Sequence, residues 1–532
     1  MLKRQSQYHD HIAAVKAVAY LLILMGTIIL LPLLMLFFPA YRGEFSHAVW
    51  FIFPGVLSFF AGYILKFITS GTRIRKLKDF YGSIIVLELW IIAVLVGCIP
   101  FMMSGEFTFT QAVFETMSGL TTTGFTLFPY EHAASLQMLI LYRSLLHLVG
   151  GVGLVLVLST ILFNAYNMQI FSAEGHTDRL APSPLHSART ILFIYLGFII
   201  GGTIAFAILG MSWFNAFNYS ISAVATGGFA PHADSIGHYH SVLAPWRAYG
   251  IDIVACILML LGGTNFMASM FFLKGRWRGF FRHSEVRCTF ILLLLSIPVV
   301  VADYIVRHEC ISVGQDIASA AFLVISTIST TGLSTVHNSL PNLSFGIVPI
   351  LLLMMVGAHS DSTAGGIKAS RTALAFKSLY WDVRSTINSN HFVHPQQIYR
   401  FGSPVKVTDK DKSQNLTYIL IYISIVVVGT IGLMACGYPF RESLVEFASA
   451  LGTIGLSIGV VSRACSAPAL WIIIVGMLIA RLEIYIFIFA ATRIRRDIMD
   501  FRRDLYLTHE DSKARKKARR EHQLKQKQEK EL

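Results

Sequence analysis

The chain has 532 residues, of which 54% are hydrophobic and only 14% are charged, and its formal net charge is +14. Ordinary globular proteins are about 45–50% apolar and about 25% charged, so this composition excludes a soluble protein. The positive residues cluster between apolar runs, which is typical of cytoplasmic loops in membrane proteins and argues against nucleic-acid binding. The cysteines have no C-x-x-C or Cys/His spacing, so neither a zinc site nor a disulfide framework is indicated. A disulfide between Cys436 and Cys465 stays open, although packing as small apolar residues is favoured.

Apolar runs of membrane-spanning length, about 20 residues, recur along the whole chain. With the N-terminus inside, spans near 12–38 and 48–68 form a leading pair of helices. Four similar units follow, and each contains an outgoing span, a short amphipathic helix, a Gly-containing loop and a returning span. The outgoing spans are predicted near 82–103, 190–210, 288–305 and 415–436, the short helices at 109–119, 213–224, 314–328 and 441–451, and the returning spans near 137–163, 248–273, 345–378 and 468–491.

These elements predict an all-α polytopic membrane protein with ten membrane helices, in which four pseudo-repeated helix–pore loop–helix units surround one pore. All the basic clusters then lie on the inner side and all four loops on the outer side. The basic tail is interpreted either as a docking segment for a cytosolic regulator or anionic lipid, or as a partly disordered topology anchor. The predicted divisions are the N-terminal helix pair at 1–78, pore units at 79–170, 171–280, 281–390 and 391–495, and the cytoplasmic tail at 496–532.

A short motif returns once in each unit, as LTTTGFT at 120–126, VATGGFA at 224–230, STTGLST at 329–335 and GTIGLSI at 452–458. Its glycine permits backbone conformations closed to other residues, so that consecutive carbonyls can face one axis. Rings of backbone carbonyls replace the water shell of the ion in potassium filters. Close helix packing through small residues is the alternative, but four copies at equivalent places on one side favour a filter.

A polar segment interrupts the apolar returning span of the third unit. Glycine inside a helix costs about 1 kcal/mol relative to alanine, and polar side chains are tolerated at membrane depth only where they face a cavity or protein. The segment therefore predicts a flexible gate beneath the filter, and a static kink is the alternative. The gating residues are expected to be Gly357, Ser360, Asp361, Ser362, Thr363, Gly365 and Gly366.

Arg481 lies about halfway along the last apolar span, where an arginine costs about 2.5–3.5 kcal/mol on insertion scales. A positive charge in a cation pathway is a barrier, so Arg481 is a second gating candidate, and an ion pair with Glu483 or Asp361 is the alternative. Arg143 is interpreted as structural. Glu115, in the first short helix, either adds negative potential to the outer mouth or has a capping or hydrogen-bonding role.

Three longer motifs give the chain a family resemblance. They are LYRSLLHLVGGVG at 141–153, GAHSDSTAGGIKASR at 357–371 and ARLEI at 480–484. With the four glycine loops, they resemble the Trk/Ktr/HKT superfamily of potassium transporters over nearly the whole chain. The two leading helices are similar to the extra pair of TrkH-type membrane subunits. His359 and Asp361 depart from the mostly small residues expected in the gating segment, and are candidates for tuning the gate by charge.

The resemblance implies where a potassium ion binds. A serine at the first-unit glycine goes with sodium transport in this family, so Gly124 favours potassium. The four loops differ from one another, which predicts modest selectivity over sodium. The implied potassium-binding residues are Thr122, Thr123 and Gly124 in the first unit, Thr226, Gly227 and Gly228 in the second, Thr330, Thr331 and Gly332 in the third, and Thr453, Ile454 and Gly455 in the fourth.

The resemblance also implies a TrkA-like cytosolic ring that binds nucleotides, a homodimer with one pore per chain, and a bacterial inner membrane with both termini cytoplasmic. The chain has neither a G-x-G-x-x-G opening a βαβ unit nor a P-loop of its own. No covalently bound cofactor is expected, only potassium ions in the filter.

Several alternatives to potassium uptake are weighed. A sodium-translocating or sodium/proton-coupled transporter of the same superfamily stays open. A carrier with inverted repeats requires alternating orientations, whereas these units all run the same way. A structural subunit without flux does not account for four outward motifs. The sequence contains no H-E-x-x-H, paired-carboxylate or Ser-His-Asp arrangement with useful spacing, so the chain is not expected to be an enzyme.

Overall fold

The fold is given by a computed structural model, which describes residues 2–71, 81–153, 184–307, 313–335, 339–387, 396–401 and 403–531. Helices dominate these residues. The described part contains a single pair of short strands, β1 (Gln397–Arg400) and β2 (Ser403–Lys406), which form an antiparallel hairpin. The basic segment 73–78 and the predicted boundaries near 78, 170 and 390 lie outside the described residues, and the division into units at these points stays a prediction.

The two leading helices, Leu2–Leu30 and Val49–Ile68, pack closely against each other because glycines stand at their crossing. A Cβ added to Gly26 would lie 2.7 Å from the backbone nitrogen of Phe59, and one on Gly62 would lie 2.7 Å from the carbonyl oxygen of Ala19. Small residues permit this approach of helices within a membrane. Two 3₁₀ segments, Leu31–Phe37 and Pro39–Ala48, connect the pair.

The four units are present in the predicted order. The short helices, called pore helices below, differ from the predicted ranges by at most one residue at each end. Thr108 and Ser212 cap the first two, since their side chains accept hydrogen bonds from the backbone N–H of Gln111 and Asn215. The outgoing helices are Tyr81–Gly97 with Ile99–Met103, Pro184–Ile208, Ser284–Arg307 and Asp409–Ala435, the pore helices are Phe109–Leu120, Trp213–Val224, Val313–Ile328 and Phe440–Leu451, and the returning helices are Gln137–Val152, Pro245–Gly262 with Phe266–Leu273, Ile347–Val356 with Ala369–Ile387, and Ala467–Glu531.

Seven described helices are long and apolar enough to cross a membrane, and a bent pair makes up to eight. The two other predicted spans correspond to shorter apolar helices, Gln137–Val152 and Ile347–Val356. The first is followed by residues outside the described part, and the second stops at the predicted break. The chain is therefore a multi-pass membrane protein.

The last returning helix differs from the single span predicted at 468–491. It bends by 99° between the segments Ala467–Leu482 and Ile484–Arg496. The predicted span therefore contains parts of two helical segments rather than one straight helix. The tail continues as helix to Glu531. Cys436 and Cys465 are both free thiols, and the hydroxyl of Tyr438 lies 3.4 Å from the sulfur of Cys465.

Buried apolar side chains join neighbouring units. One core cluster contains residues of the leading pair and of units 1 and 4, a second extends from Val152 of unit 1 through unit 2 to unit 3, and a third joins units 3 and 4. Between successive units, this packing brings the ends of the four pore helices together.

Candidate ion filter and intramembrane gate

All four pore helices end in the same capping motif. In unit 1 the N–H of Thr122 donates to the carbonyl of Gly119 at 3.2 Å, and the N–H of Thr123 donates to the carbonyl of Ser118 at 2.9 Å. This pair of bonds is the Schellman motif. The motif recurs in the other three units. In unit 2, Thr226 donates to Ala223 and Gly227 to Ser222; in unit 3, Thr330 donates to Thr327 and Thr331 to Ser326. In unit 4, Thr453 donates to Ala450 and Ile454 to Ser449.

The residue directly after the C-cap of each pore helix is a threonine in the left-handed region. Thr122, Thr226, Thr330 and Thr453 have φ values of 55°, 51°, 56° and 52°. A β-branched residue there is a genuine outlier, and such strain costs on the order of 1–3 kcal/mol per residue. Helices usually place glycine at this position. Four repeats of one costly conformation indicate that the geometry of the loop, rather than stability, requires it.

The four motif glycines form a closed ring of contacts. A Cβ added to Gly124 would overlap the carbonyl oxygen of Gly227 in unit 2. The same contact joins Gly228 to the carbonyl of Thr331, Gly332 to that of Ile454, and Gly455 to that of Thr123, so the series returns to unit 1. Each of these contacts is shorter than the 3.0 Å below which real Cβ atoms are essentially never found. Only glycine therefore fits, and four backbone carbonyls meet around one axis.

The pore helices favour a cation at this ring. Their C-terminal residues, Leu120, Val224, Ile328 and Leu451, all immediately precede the loops. The aligned peptide dipoles of a helix leave roughly half a negative charge at its C-terminal end. Four such ends around one axis create a negative potential without any acidic side chain in the ring.

Two buried glutamates support the chain after the ring. Glu115 accepts hydrogen bonds from the Thr126 hydroxyl at 2.8 Å and the Leu127 N–H at 2.9 Å. Glu446, at the same distance before its own glycine, accepts from the Ser457 hydroxyl at 2.7 Å and the Ile458 N–H at 3.0 Å. The hydrogen-bonding role left open for Glu115 is therefore present in the structure. The sequence analysis missed Glu446, although its matching position relative to the glycine was a readable signal.

Arg143 compensates the charge of Glu115. Its Nε atom lies 2.8 Å from Oε1 of Glu115, and both side chains are buried. The guanidinium also lies 4.1 Å from the centre of the Phe229 ring, which belongs to unit 2. A buried guanidinium held by a carboxylate and an aromatic ring fits the structural interpretation of Arg143.

The predicted break in unit 3 is present and contacts the loops of the other units. The returning helix stops at Val356 and resumes at Ala369. The hydroxyls of Thr363 and Thr226 lie 2.9 Å apart, and the N–H of Gly365 donates to the Thr330 hydroxyl at 3.3 Å. A Cβ on Gly365 would overlap the hydroxyl oxygen of Thr453. The segment, called the intramembrane loop below, thus lies against the left-handed threonines of units 2, 3 and 4.

Side chains of units 2 and 3 hold the other part of the intramembrane loop. The N–H of Ser360 donates to Oε2 of Glu285 at 3.1 Å, and the carbonyl of Ser360 accepts from the Asn265 amide at 2.9 Å. His359 is buried, with Nδ1 accepting from the Asn265 N–H at 3.3 Å and Nε2 lying 3.0 Å from the Thr289 hydroxyl. These bonds give His359 a positioning role, and tuning of the gate by charge stays a prediction.

Arg481 bridges the intramembrane loop and unit 1. Its Nη1 donates to the carbonyl of Thr363 at 2.8 Å, and its Nη2 donates to the carbonyl of Gly150 and, at 3.5 Å, to that of Gly151. These glycines stand at the C-terminal end of the unit 1 returning helix. The side chain of Glu483, an alternative partner expected from the sequence, lies outside the described residues. Through these contacts, Arg481 and the intramembrane loop lie together beside the glycine ring.

Comparison with known proteins decides the family. Residues 54–497 match the family model described as "TrkH: Cation transport protein". The chain belongs to this TrkH family. The family is defined by transport rather than by catalysis, and the all-helical architecture described above agrees with it.

Relatives within and around the TrkH family cover most of the chain. The "Trk system potassium uptake protein TrkH" of Escherichia coli strain K12 is 29% identical, and the match covers 77% of this chain and 84% of that protein. The protein of the same name from Halomonas elongata is 27% identical over 83% of this chain and 91% of its own length. An "Uncharacterized cation transporter" of Methanocaldococcus jannaschii is 26% identical, with coverage of 82% and 86%.

A solved structure confirms the predicted fold class. The crystal structure of "the Potassium Transporter TrkH from Vibrio parahaemolyticus" superposes with a TM-score of 0.75, covering 91% of this chain and 98% of that chain at 24% identity. The prediction of an all-α polytopic membrane fold is therefore confirmed.

Proposed function

We propose that this protein is the potassium-translocating membrane subunit of a Trk-type potassium uptake system. The observation that carries the proposal is the closed ring in which Gly124, Gly228, Gly332 and Gly455 each touch the carbonyl of the neighbouring unit. A cation that enters hydrocarbon must keep oxygen around it, and a fixed ring of carbonyls supplies that oxygen in place of water. The relatives named as potassium uptake proteins support potassium as the ion.

The proposed path begins with loss of water at the filter. The ion binds beside the threonine and glycine residues implied for the four loops, and the pore-helix ends stabilise its charge. It then passes the intramembrane loop into a water-filled inner cavity. The membrane potential drives the flux with about 2.3 kcal/mol per charge per 100 mV. Gly124 favours potassium over sodium, so sodium transport, alone or coupled to protons, is the alternative outcome of the test.

The proposed gate consists of the intramembrane loop and Arg481. The loop contacts three of the four filter threonines through Thr363 and Gly365. Arg481 adds a positive charge beside that contact and ties the loop to the carbonyls of unit 1. Opening then requires the loop to leave the filter and the guanidinium to release at least one of its carbonyl partners.

We expect the protein to work as an assembly in the bacterial inner membrane with both termini cytoplasmic. The basic clusters of the sequence all fall on the inner side of the predicted topology, where positive loops are retained. A soluble TrkA-like ring would supply the nucleotide-binding fold absent from this chain, and two chains would form a homodimer with one pore each.

Purification from the native membrane checks this assembly. We expect the subunit to elute as a dimer in mild detergent, to copurify with a soluble nucleotide-binding protein, and to change its flux when that protein binds nucleotide. Chromatography with light scattering measures the mass, and mass spectrometry identifies the bound protein. A monomer with full activity that ignores every such partner would contradict the assembly but not the pore.

Flux measurements on the purified protein in liposomes test the function itself. Potassium, rubidium and sodium uptake are compared with and without an imposed voltage. The expected result is voltage-driven uptake of potassium and rubidium that exceeds sodium uptake. Sodium uptake in excess of potassium would favour the alternative transporter, and an absence of flux for all three ions would overturn the proposal.

A further inference from the structure

The returning helices carry one residue at an equivalent buried position beside the filter. The equivalence follows from two contacts: a Cβ on Gly150 would overlap the carbonyl of Leu120, and one on Gly262 would overlap that of Val224, the last residues of their pore helices. Three residues before these points stand His147 and Met259, and the matching positions of units 3 and 4 are Met354 and Met477. All four side chains are buried. Unit 1 alone has a polar side chain there.

The imidazole of His147 joins two units. Its Nδ1 lies 2.8 Å from the carbonyl oxygen of Gly119, at the end of the unit 1 pore helix. Its Nε2 accepts a hydrogen bond from the N–H of Phe229, directly after the unit 2 filter glycine, at 3.3 Å. A carbonyl only accepts, so Nδ1 carries the hydrogen and Nε2 is free to accept, as in a neutral imidazole. Methionine, which has no N–H donor, cannot make both bonds.

The imidazole also packs on the extended loop segment that carries the filter residues of unit 2, residues 226–229, called the filter strand below although it belongs to no sheet. The rings of His147 and Phe229 lie 4.1 Å apart between centroids, and a Cβ added to Gly227 would lie 2.6 Å from the imidazole. Gly227 provides the ring carbonyl that faces Gly124. The imidazole therefore contacts Gly227, whose carbonyl belongs to the candidate ion site. His147 itself is not part of the glycine ring.

Unit 2 needs this support because its middle filter residue has no side chain. In units 1 and 3 that residue is a threonine held by a neighbouring hydroxyl: Thr123 lies 2.7 Å from Thr121, and Thr331 lies 2.8 Å from Ser329, between oxygens. In unit 2 the corresponding residues are Gly227 and Ala225. Glycine has the most backbone freedom of any residue. Beyond the backbone bond from the Gly227 N–H to Ser222, the middle residue of this strand has no side-chain bond to hold its carbonyl.

We propose that His147 is a positioning residue of the filter, which fixes the unit 2 strand against the unit 1 pore helix and thereby sets the discrimination between potassium and sodium. The inference rests on the proposed function, because it assigns the ring carbonyl of Gly227 to the ion. His147 acts through that strand, does not contact the ion, and makes up for the hydroxyl pair that units 1 and 3 have.

The test compares His147→Met with His147→Gln in liposomes. His147→Met introduces the residue of the other three units and removes both hydrogen bonds. Because His147 acts on the ion only through the unit 2 strand, the potassium/sodium flux ratio should fall about fivefold, an effect the size of one ordinary hydrogen bond. His147→Gln keeps one donor and one acceptor at similar reach and should restore the ratio to within about twofold of the unsubstituted protein. Met259→Leu, at the equivalent place in unit 2, is the matched control and should leave the ratio unchanged.

Two results would overturn the inference: an unchanged ratio in folded His147→Met, or a loss in His147→Gln equal to that in His147→Met. If His147→Met gives no folded protein, His147→Asn replaces it, because its shorter amide reaches at most one of the two partners and should lower the ratio in the same way. A protein whose unsubstituted form prefers sodium would contradict the proposed function. In that case the inference about His147 still holds if His147→Met changes the flux ratio, and it fails if the ratio stays the same.

Discussion

Serine in place of the filter glycines is expected to abolish most of the discrimination between potassium and sodium. In Gly332→Ser and Gly124→Ser the new Cβ would overlap the ring carbonyls of Ile454 and Gly227, and φ at these positions is +79° and +89°. The strand must move, and the carbonyl that it displaces no longer faces the ion. A change of about 1.4 kcal/mol in relative ion binding is a tenfold change, so the potassium/sodium flux ratio should fall about tenfold or more.

The control for this experiment is serine at a glycine with open space. Gly201→Ser is suitable, because no atom lies within 4 Å of a Cβ added there. Its neighbour Gly202 is unsuitable, since an added Cβ would lie 2.6 Å from the Leu258 side chain. Flux is measured per folded molecule in liposomes for the two filter variants and the control. Flux ratios in both filter variants that match the control would show that the glycine ring does not select the ion.

Deleting residues 360–363 is expected to raise flux and to weaken control by a regulatory partner. The deletion removes the Thr363 contact with the filter hydroxyl of Thr226, the acceptor of Arg481, and the bonds of Ser360 to Glu285 and Asn265. If the intramembrane loop blocks the path, the shortened segment can no longer reach the filter. If it is a static kink, the same deletion misaligns the helix and lowers flux.

Variants of Arg481 test whether its positive charge contributes to the proposed barrier at the intramembrane loop. Arg481→Ala removes a positive charge from a low-dielectric cation path, where charges interact more strongly than in water, and flux should rise about tenfold. Arg481→Lys separates two causes: it keeps the charge but loses the fork that reaches both Thr363 and Gly150. Low flux in the lysine variant assigns the barrier to charge, and high flux assigns it to the bridge. Lower flux in both the deletion and Arg481→Ala, with folding intact, would mean that this segment is not a gate.

The pore helices and the fold class could be predicted from the sequence because their signals are local. Each pore helix is amphipathic and ends just before a repeated Gly motif, and Thr108 and Ser212 are visible N-caps. The break after Val356 could also be predicted from the sequence, because glycines and polar residues interrupt an otherwise apolar run. Membrane spans follow from length and hydropathy, which vary little with tertiary context.

The contacts that organise the site could not be predicted in this way, because they join residues of different units. Nothing in the local sequence indicates that Thr122 adopts a left-handed conformation, since glycine is the usual residue there. The bond between His147 and Phe229 and the contact of Arg481 with Gly150 likewise depend on how the units pack. The bend near residue 483 was also missed, because the surrounding run, although it contains Arg481 and Glu483, is long and apolar enough to be predicted as one span.

The closed order of the glycine ring has a consequence for synthesis of the chain. Units leave the ribosome one after another, but the contact of Gly455 with the carbonyl of Thr123 joins the last unit to the first. Until the fourth unit has entered the membrane, the strand of the first has neither its final neighbour nor a complete set of partners. A partly translated chain therefore contains pore helices but no closed glycine ring. Under the proposed function, ion selectivity would be acquired in one late step, when the two ends of the transmembrane sequence meet.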